Sequence, residues 1–494
     1  MKCTSAIALF FAVIMSAIAQ TNPATRTMSL QDCFTEALQH NFAVQIEYYG
    51  PQISLYNLYS AYGGYDPAFS ISGQHDVNVS PGGFTPEQIP LPATTSKSDV
   101  FSSGLGGALP SGLIYNFSGS IADRNFNQFT NHSESSGGSI GVTLTQPLLK
   151  NFWIDGNRLT ISIARNRLKY SEQGLRSLII NTITSVENAY YDLIFAKGDV
   201  QVQEEALVLS QKQLSDDEQR VQVGSLAPLD VQQDKSQVAQ DQANLIAARF
   251  RFVSAQNILK NLLTDNYSAW HDQDIEPITP LNATRQFFDL QESWNRGMTQ
   301  RPDLIQAKLD VEQQGIQLKY SFNQLFPELD LTGSYGFNGE GREFSGVFSQ
   351  VDQGNAPFYS YGAQLSIPLG NVKARNNYKA GKANKEQLLL ALKQLEQAIM
   401  VSIDNAVKQS ESTWENVQAT HEARIYAEAA LDAEQKKYNV GKSTTFTVLQ
   451  LQIKLTQARS AEIGSVVNYH KALALLAHEE GNTLETHQID FKVK

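Results

Sequence analysis

The chain has 494 residues, a formal net charge of −11 and two cysteines. An acidic chain without basic clusters argues against nucleic acid as a partner, and two thiols are too few for a thiolate metal cluster. Past residue 20 there is no run of ~18 apolar residues, so no membrane-spanning helix is expected; an exported soluble protein or a transmembrane β-barrel remains, because barrel strands turn only alternate residues to lipid.

Residues 1–19 read as a signal peptide: charged Lys2, an apolar run from Ala6 to Ala19, and the small-x-small site Ala17-Ile18-Ala19, giving a mature start at Gln20. No Cys sits at that point, which argues against a lipid-anchored N-terminus. Cys33 is then the lone thiol, expected as a small residue on a helix face.

A first unit spans 20–289. It opens with a helix over 30–66, ended by Pro67, and strands over 67–147 in which Ile140, Val142 and Leu144 alternate with Ser139, Gly141, Thr143 and Thr145. A helical hairpin follows over 158–263, with a tip at 223–228 and a linker at 264–289. Between Arg158 and Gln222 there is no proline, so at 1.5 Å per residue the first arm spans roughly 100 Å. Leu175, Ile179, Thr182, Val186, Ala189 and Leu193 follow the four-three spacing of a coiled-coil seam. Gly224 can take the left-handed turn that ends a helix, and Pro228 suits the first turn of the next.

A second unit spans 290–494 in the same order. It has a helix over 290–326 ended by Pro327, strands over 328–368, a hairpin over 372–481 with a tip at 440–445, and a tail over 482–494. Leu388, Leu392, Leu395 and Ile399 form its seam, and Ser443, Thr444 or Thr445 can cap its returning helix. The opening SLQDCFTEALQHN returns 260 residues later as DLQESWNRGMTQR, and Val223-Gly224-Ser225 returns as Val440-Gly441-Lys442-Ser443. The chain is therefore two similar halves.

The returning helices, 228–263 and 445–481, are half as long as their partners. The first is expected to be continued by helix 290–326 and the second by helix 30–66, giving rods of one height. Four strands are securely patterned, whereas the smallest membrane barrels need about eight. Open edges cannot exist in lipid, so subunits must pool strands; three copies give twelve.

This order of elements resembles the TolC-like outer-membrane efflux family across nearly the whole mature chain. The carrying residues are SLQDCFTEALQHN, VTLTQPLLKN and LSIPLGN, and the tips VQVGSLAPLDVQ and YNVGKSTTFTVLQ. The resemblance implies a mainly α protein with a transmembrane β-barrel. It implies a homotrimer whose 12-stranded barrel in outer-membrane lipid stands on an α-helical tunnel through the periplasm. The partners implied are a periplasmic adaptor (membrane fusion) protein and an inner-membrane pump. The function implied is a passive exit duct for small molecules in a tripartite efflux system. Alternatives are a duct for type I protein secretion or metal-ion efflux, or a periplasmic coiled-coil scaffold without a pore.

By the same resemblance, Val223, Gly224, Ser225, Val440, Gly441, Lys442 and Ser443 are the adaptor-binding tips. Aspartates that line the closed periplasmic mouth in some members are replaced by Thr447 and Gln450 in the second half. Asp230 is kept in the first, with Asp234 one turn on, as a candidate periplasmic aperture; facing the lumen, such acids favour cations. A second departure is about 39 extra residues between the first-half strands, including strand-like 101–109 and 113–121. They are expected to form an external hairpin excursion rather than to enlarge the barrel.

No catalytic residue, metal site or cofactor is expected. HExxH and CxxC are absent, and Lys436 stands where a phosphate loop ending at Gly441-Lys442-Ser443 needs its first glycine. Trp153, just past Ile140–Pro147, marks the membrane boundary or packs beneath the barrel.

Overall fold

The computed structural model describes residues 25–128 and 131–490; the signal-peptide reading of 1–19 and the end of the tail lie outside them. The chain is mainly helical. It runs β1 (Thr25–Met28), α1 (Leu30–His40), α2 (Phe42–Tyr62), β2 (Ala68–Ser80), β3 (Thr94–Ala108), β4 (Ile114–Gln128) and β5 (Asn131–Pro147). Next come α3 (Gly156–Gln222), α4 (Pro228–Leu263), α5 (Tyr267–Trp270) and β6 (Asp274–Pro277). The remainder is α6 (Leu290–Gln300), α7 (Pro302–Asn323), β7 (Glu328–Gly341), α8 (Phe344–Gln353), β8 (Pro357–Ser366), α9 (Val372–Asn439), α10 (Thr445–Glu480) and α11 (Thr483–Thr486).

The long rods α3 and α9 follow from their seams. Asp155 caps α3 by accepting from the Arg158 amide at 2.8 Å. Leu175, Ile179, Thr182, Val186, Ala189 and Leu193 are all buried. In α9, Ile399 is buried and Leu392 and Leu395 pack partly against the same cluster. The main core lies midway along the rods, where Phe34 of α1, Ile183 and Tyr190 of α3, Leu259 and Leu263 of α4, and Ile275 of β6 meet. Each large apolar side chain buried there contributes about 1.5–3 kcal/mol. Cys33 lies fully inside this cluster, and burial pushes its thiol up to about 12, so it packs as a small apolar residue.

Three expectations are corrected. First, helices 30–66 and 290–326 are each broken. Asn41 is extended and accepts from the Ala43 amide at 2.9 Å, ending α1 and capping α2. Arg301 is extended because proline follows it, and Pro302 opens α7.

Second, the composite rods pair the other way. Asn41 Nδ2 donates to the Leu262 carbonyl at 3.0 Å, so α2 continues α4. Arg301 Nη1 donates to the Glu479 carbonyl at 3.1 Å, so α7 continues α10. The linker explains the exchange, because it leaves α4 and crosses to α10 instead of rising. Tyr469 of α10 donates to the Thr284 carbonyl at 2.8 Å, and His470 sits 3.1 Å from the Asn282 carbonyl. The crossing is pinned by a parallel pair, β1 with β6, that the sequence reading missed.

Third, the sheet has six strands, not four, in the order β2-β3-β4-β5-β7-β8, all antiparallel. The extra residues form β3 and β4, interposed between β2 and β5 rather than projecting from the wall. Period two extends through them, so they offer both flanking strands a full row of backbone partners. Their turn, Leu109 to Leu113, closes with Gly112 at φ +87 and donating to the Leu109 carbonyl at 2.8 Å. The sheet carries α8, also unforeseen, tightly against Gly339 of β7, where an added Cβ would stand 2.5 Å from the Val347 carbonyl.

Candidate functional site

The two hairpin tips lie side by side. Arg220 Nη2, in the last turn of α3, donates to Asn439 Oδ1 at 3.1 Å, and its guanidinium covers the Tyr438 ring at 4.4 Å. At the first tip Gly224 takes φ +78, and the Ser225 amide donates to the Arg220 carbonyl at 2.9 Å. At the second, Gly441 takes φ +73, and the Lys442 amide donates to the Lys437 carbonyl at 2.9 Å. Both are left-handed helix ends of the kind glycine permits. Ser443 Oγ donates to Glu434 at 2.6 Å, and Thr444 caps α10 through the Thr447 amide.

Nothing stands within 4 Å of where a Cβ at Gly224 or Gly441 would lie, so the turn backbone is open to an approaching surface. Val223 and Val440 are 79% and 68% exposed. Leu229 and Phe446 are exposed too, and each lies six residues past its tip valine. Sequence reasoning missed this second apolar pair, although the shared offset in both tips was there to be read.

Asp230 and Asp234 behave differently from one another. Asp230 is half-buried in the first turn of α4. Asp234 is buried at 1% exposure and meets Asp217 of α3, which the sequence reading did not single out. Asp217 is fully buried and accepts from Tyr438 Oη at 2.6 Å, Gln213 Nε2 at 2.8 Å and Thr445 Oγ1 at 3.3 Å. Arg220 Nε stands 3.9 Å away, and Lys235 pairs with Glu218 beside the cluster at 3.3 Å. Asp217 thus takes donors from α3, α9 and α10. Asp234 has no such donors, and burial, then the neighbouring Asp217 carboxylate, pushes it up to about 7. In position, this pair ties α3, α4, α9 and α10 together just behind the tips.

The sign follows from the raised value. Stability from protonated Asp234 is full below the ordinary carboxylate value of 3.8 and lost as pH rises through about 7. The tip packing is expected to loosen from pH 6 to 8, read as amide exchange around 217–234 corrected for intrinsic rates. Asp234→Asn is expected to flatten that dependence; an unchanged profile in the variant would show that the pair does not set it.

Among the described residues no group of three His, Cys, Asp or Glu could hold a metal ion, and no helix is long and apolar enough to cross a membrane.

Comparison with known proteins gives a consistent picture. The family model described as outer membrane efflux protein matches residues 114–264 and 296–479. Outer membrane protein TolC of Escherichia coli (strain K12) is 26% identical over 312 residues, 60% of this chain and 59% of that protein; the chain thus aligns with less than two thirds of that relative's length. Among solved structures, the outer-membrane channel OprN superposes with a TM-score of 0.68 at 15% identity, covering 92% of this chain and 90% of that one. The CmeC outer membrane channel of Campylobacter jejuni gives 0.66 at 14%, covering 92% and 86%.

Proposed function

The chain belongs to the outer membrane efflux protein family, and from that premise we propose that it is an outer-membrane channel subunit, a passive exit duct for small molecules in a tripartite efflux system. The observation that carries this reading is one chain holding both long helical rods and a sheet with an apolar face and two unpaired edges. In lipid those edges must be closed. A homotrimer closes them: β2 of each subunit pairs with β8 of the next. Twelve strands followed from four per chain; with six per chain that count no longer stands.

Below the barrel, α3, α9 and the composite rods α4–α2 and α10–α7 supply four columns per subunit, twelve around a tunnel through the periplasm. The first and second units, 20–289 and 290–494, act as two structural repeats. Further support for self-association comes from α4, which leaves Ile246, Phe250 and Val253 exposed at helical spacing for a second copy to cover. Leu149, Phe152, Trp153 and Ile154, exposed just past β5, suit the lipid–water boundary. As in tripartite efflux systems, an inner-membrane pump drives export through a periplasmic adaptor.

The adaptor docks on Val223, Gly224, Ser225, Val440, Gly441, Lys442 and Ser443, with Leu229 and Phe446 adding apolar contact. Asp230 and the buried Asp217–Asp234 pair stand at the periplasmic aperture, where they hold the tips closed at rest. Val223→Glu combined with Val440→Glu is expected to leave the detergent-extracted trimer intact and to cut adaptor co-purification at least about tenfold, the cost of losing ~1.4 kcal/mol. Undiminished adaptor binding would remove the tips from the interface. A water-soluble monomer in the unmodified protein would end the channel reading itself.

A further inference from the structure

We propose that the barrel of this channel has 18 strands, six from each of three subunits, and an outer-membrane bore about half again as wide as that of a 12-stranded wall. The proposal rests on the trimeric channel reading above and concerns what the inserted strands do to it.

Backbone pairing is the first ground. β2 pairs with β3 along all its length, from Ala68↔Gly106 to Ser80↔Thr94. β4 pairs with β5 from Ile114↔Thr145 to Gln128↔Asn131. β2 and β5 share no pairing, so the wall cannot be closed without the hairpin. Each inserted strand has 15 residues, more than the ~9–11 that a tilted strand needs to span the hydrocarbon core.

The faces are the second. One row across the sheet reads Phe69, Leu105, Phe117, Val142, Tyr335, Tyr359, apolar on every strand. The next row but one reads Ile71, Ser103, Gly119, Ile140, Phe337, Pro357 on the same side. On the other side a row reads Ala68, Gly106, Asn116, Thr143, Ser334, Ser360, small or polar throughout. A slip of one residue in β4 would turn Asn116 and Ser118 to lipid. The inserted strands are in phase with their neighbours on both faces. They also leave the apolar band at one height, where His75, Asp99, Asp123 and Ser136 line up and His75 Nδ1 meets Asp99 at 2.6 Å.

The ends are the third. The tight 109–113 turn lies at the helical end, where Gln146 Nε2 donates to the Ser111 carbonyl at 3.2 Å. The longer connections, 81–93 and 342–356, lie at the far end. Outer-membrane barrels place short turns on the periplasmic side and long loops outside. An excursion beyond the membrane would not set its turn against the helical rods.

With ~4.8 Å between strands tilted about 40°, each adds roughly 6 Å to the circumference. Eighteen strands then give a backbone diameter of about 36 Å against about 24 Å for twelve. The wall in the membrane is a wide aqueous channel, and the helical end sets the narrowest passage.

The test uses the full-length trimer. Thr143→Cys, on the polar face of β5 and present in the wall under either arrangement, is spin-labelled in a Cys33→Ala background, and distances between the three labels are measured by pulsed dipolar spectroscopy. About 31 Å is expected for the larger barrel, and about 21 Å, the value for twelve strands, overturns it. Counting strands in cross-sections of the unmodified trimer by electron cryomicroscopy gives the same answer without substitution. A trimer with the shorter distance sinks only the strand number; a chain that forms no trimer sinks the channel reading with it.

Discussion

Arginine at Val142 is expected to remove the protein from the outer membrane, while arginine at Thr143, the next residue, leaves it there. Val142 lies in the apolar row at the middle of β5, between Phe117 of β4 and Tyr335 of β7. A cation on the lipid face near the bilayer midplane costs about 2–4 kcal/mol, and the proposed trimer would incur that cost three times. Thr143 lies between Asn116 and Ser334 on the opposite face, which in the proposed barrel lines the water-filled bore and keeps a guanidinium solvated. Membrane fractionation and the heat-modifiable trimer band on gels read both variants directly. Equal tolerance of the two would mean that the sheet does not divide lipid from water in this way.

Arg301→Ala is expected to destabilise the helical region by about 3 kcal/mol, near the lower end for breaking a largely buried ion pair because some solvent access remains. Arg301 sits at the break between α6 and α7, beside the end of α10, with its side chain 15% exposed. Its guanidinium holds Asp303 through both carboxylate oxygens, at 3.1 and 2.9 Å, and reaches the Glu479 carbonyl at 3.1 Å and carboxylate at 2.5 Å. Glu479 also accepts from Ser402 of α9 at 2.7 Å. Its carboxyl is held down to about 2 by His478, then by Ser402 and Arg301. Removing Arg301 strands that charge at 17% exposure and unties the composite rod α10–α7.

Because the Glu479 value is depressed, its contribution is present above the ordinary 4.5 and lost as pH falls through about 2. Chemical denaturation of the detergent-extracted protein at neutral pH, followed by circular dichroism at 222 nm, measures the change. Arg301→Lys is expected to recover part of it, since a lysine keeps the charge but not the forked contact with Asp303. A wild-type midpoint in Arg301→Ala would show that the joint is held by packing alone.

Much of the architecture was legible because its signals are local. The seam from Leu175 to Leu193 reports helical period, and Ile140, Val142 and Leu144 report the period of a strand. Gly224 and Gly441 report a turn that needs positive φ. The helix breaks at Asn41 and Pro302 were equally local and were passed over because the apolar pattern continues across them. The strands β3 and β4 had the right alternation, but alternation does not say whether a hairpin joins a wall or leaves it; pairing with β2 and β5 does.

At the tips, glycines and valines were readable, whereas the burial of Asp234 was not. Its environment depends on Asp217, Tyr438 and Thr445, which arrive from three other helices. Nothing within a few residues of position 234 encodes their approach.

By itself, then, the amino-acid order determined the two long rods, the glycine turns and the two-faced strands, since backbone geometry repeats every few residues and side-chain polarity must follow it. Only the folded chain decided which half-rods join end to end, how many strands make the sheet, and which carboxylates meet. Those outcomes depend on contacts such as Arg301 with Glu479 and Asp217 with Tyr438, 178 and 221 residues apart. At such separations burial and hydrogen-bond satisfaction choose the partner, and neither leaves a periodic trace in the sequence.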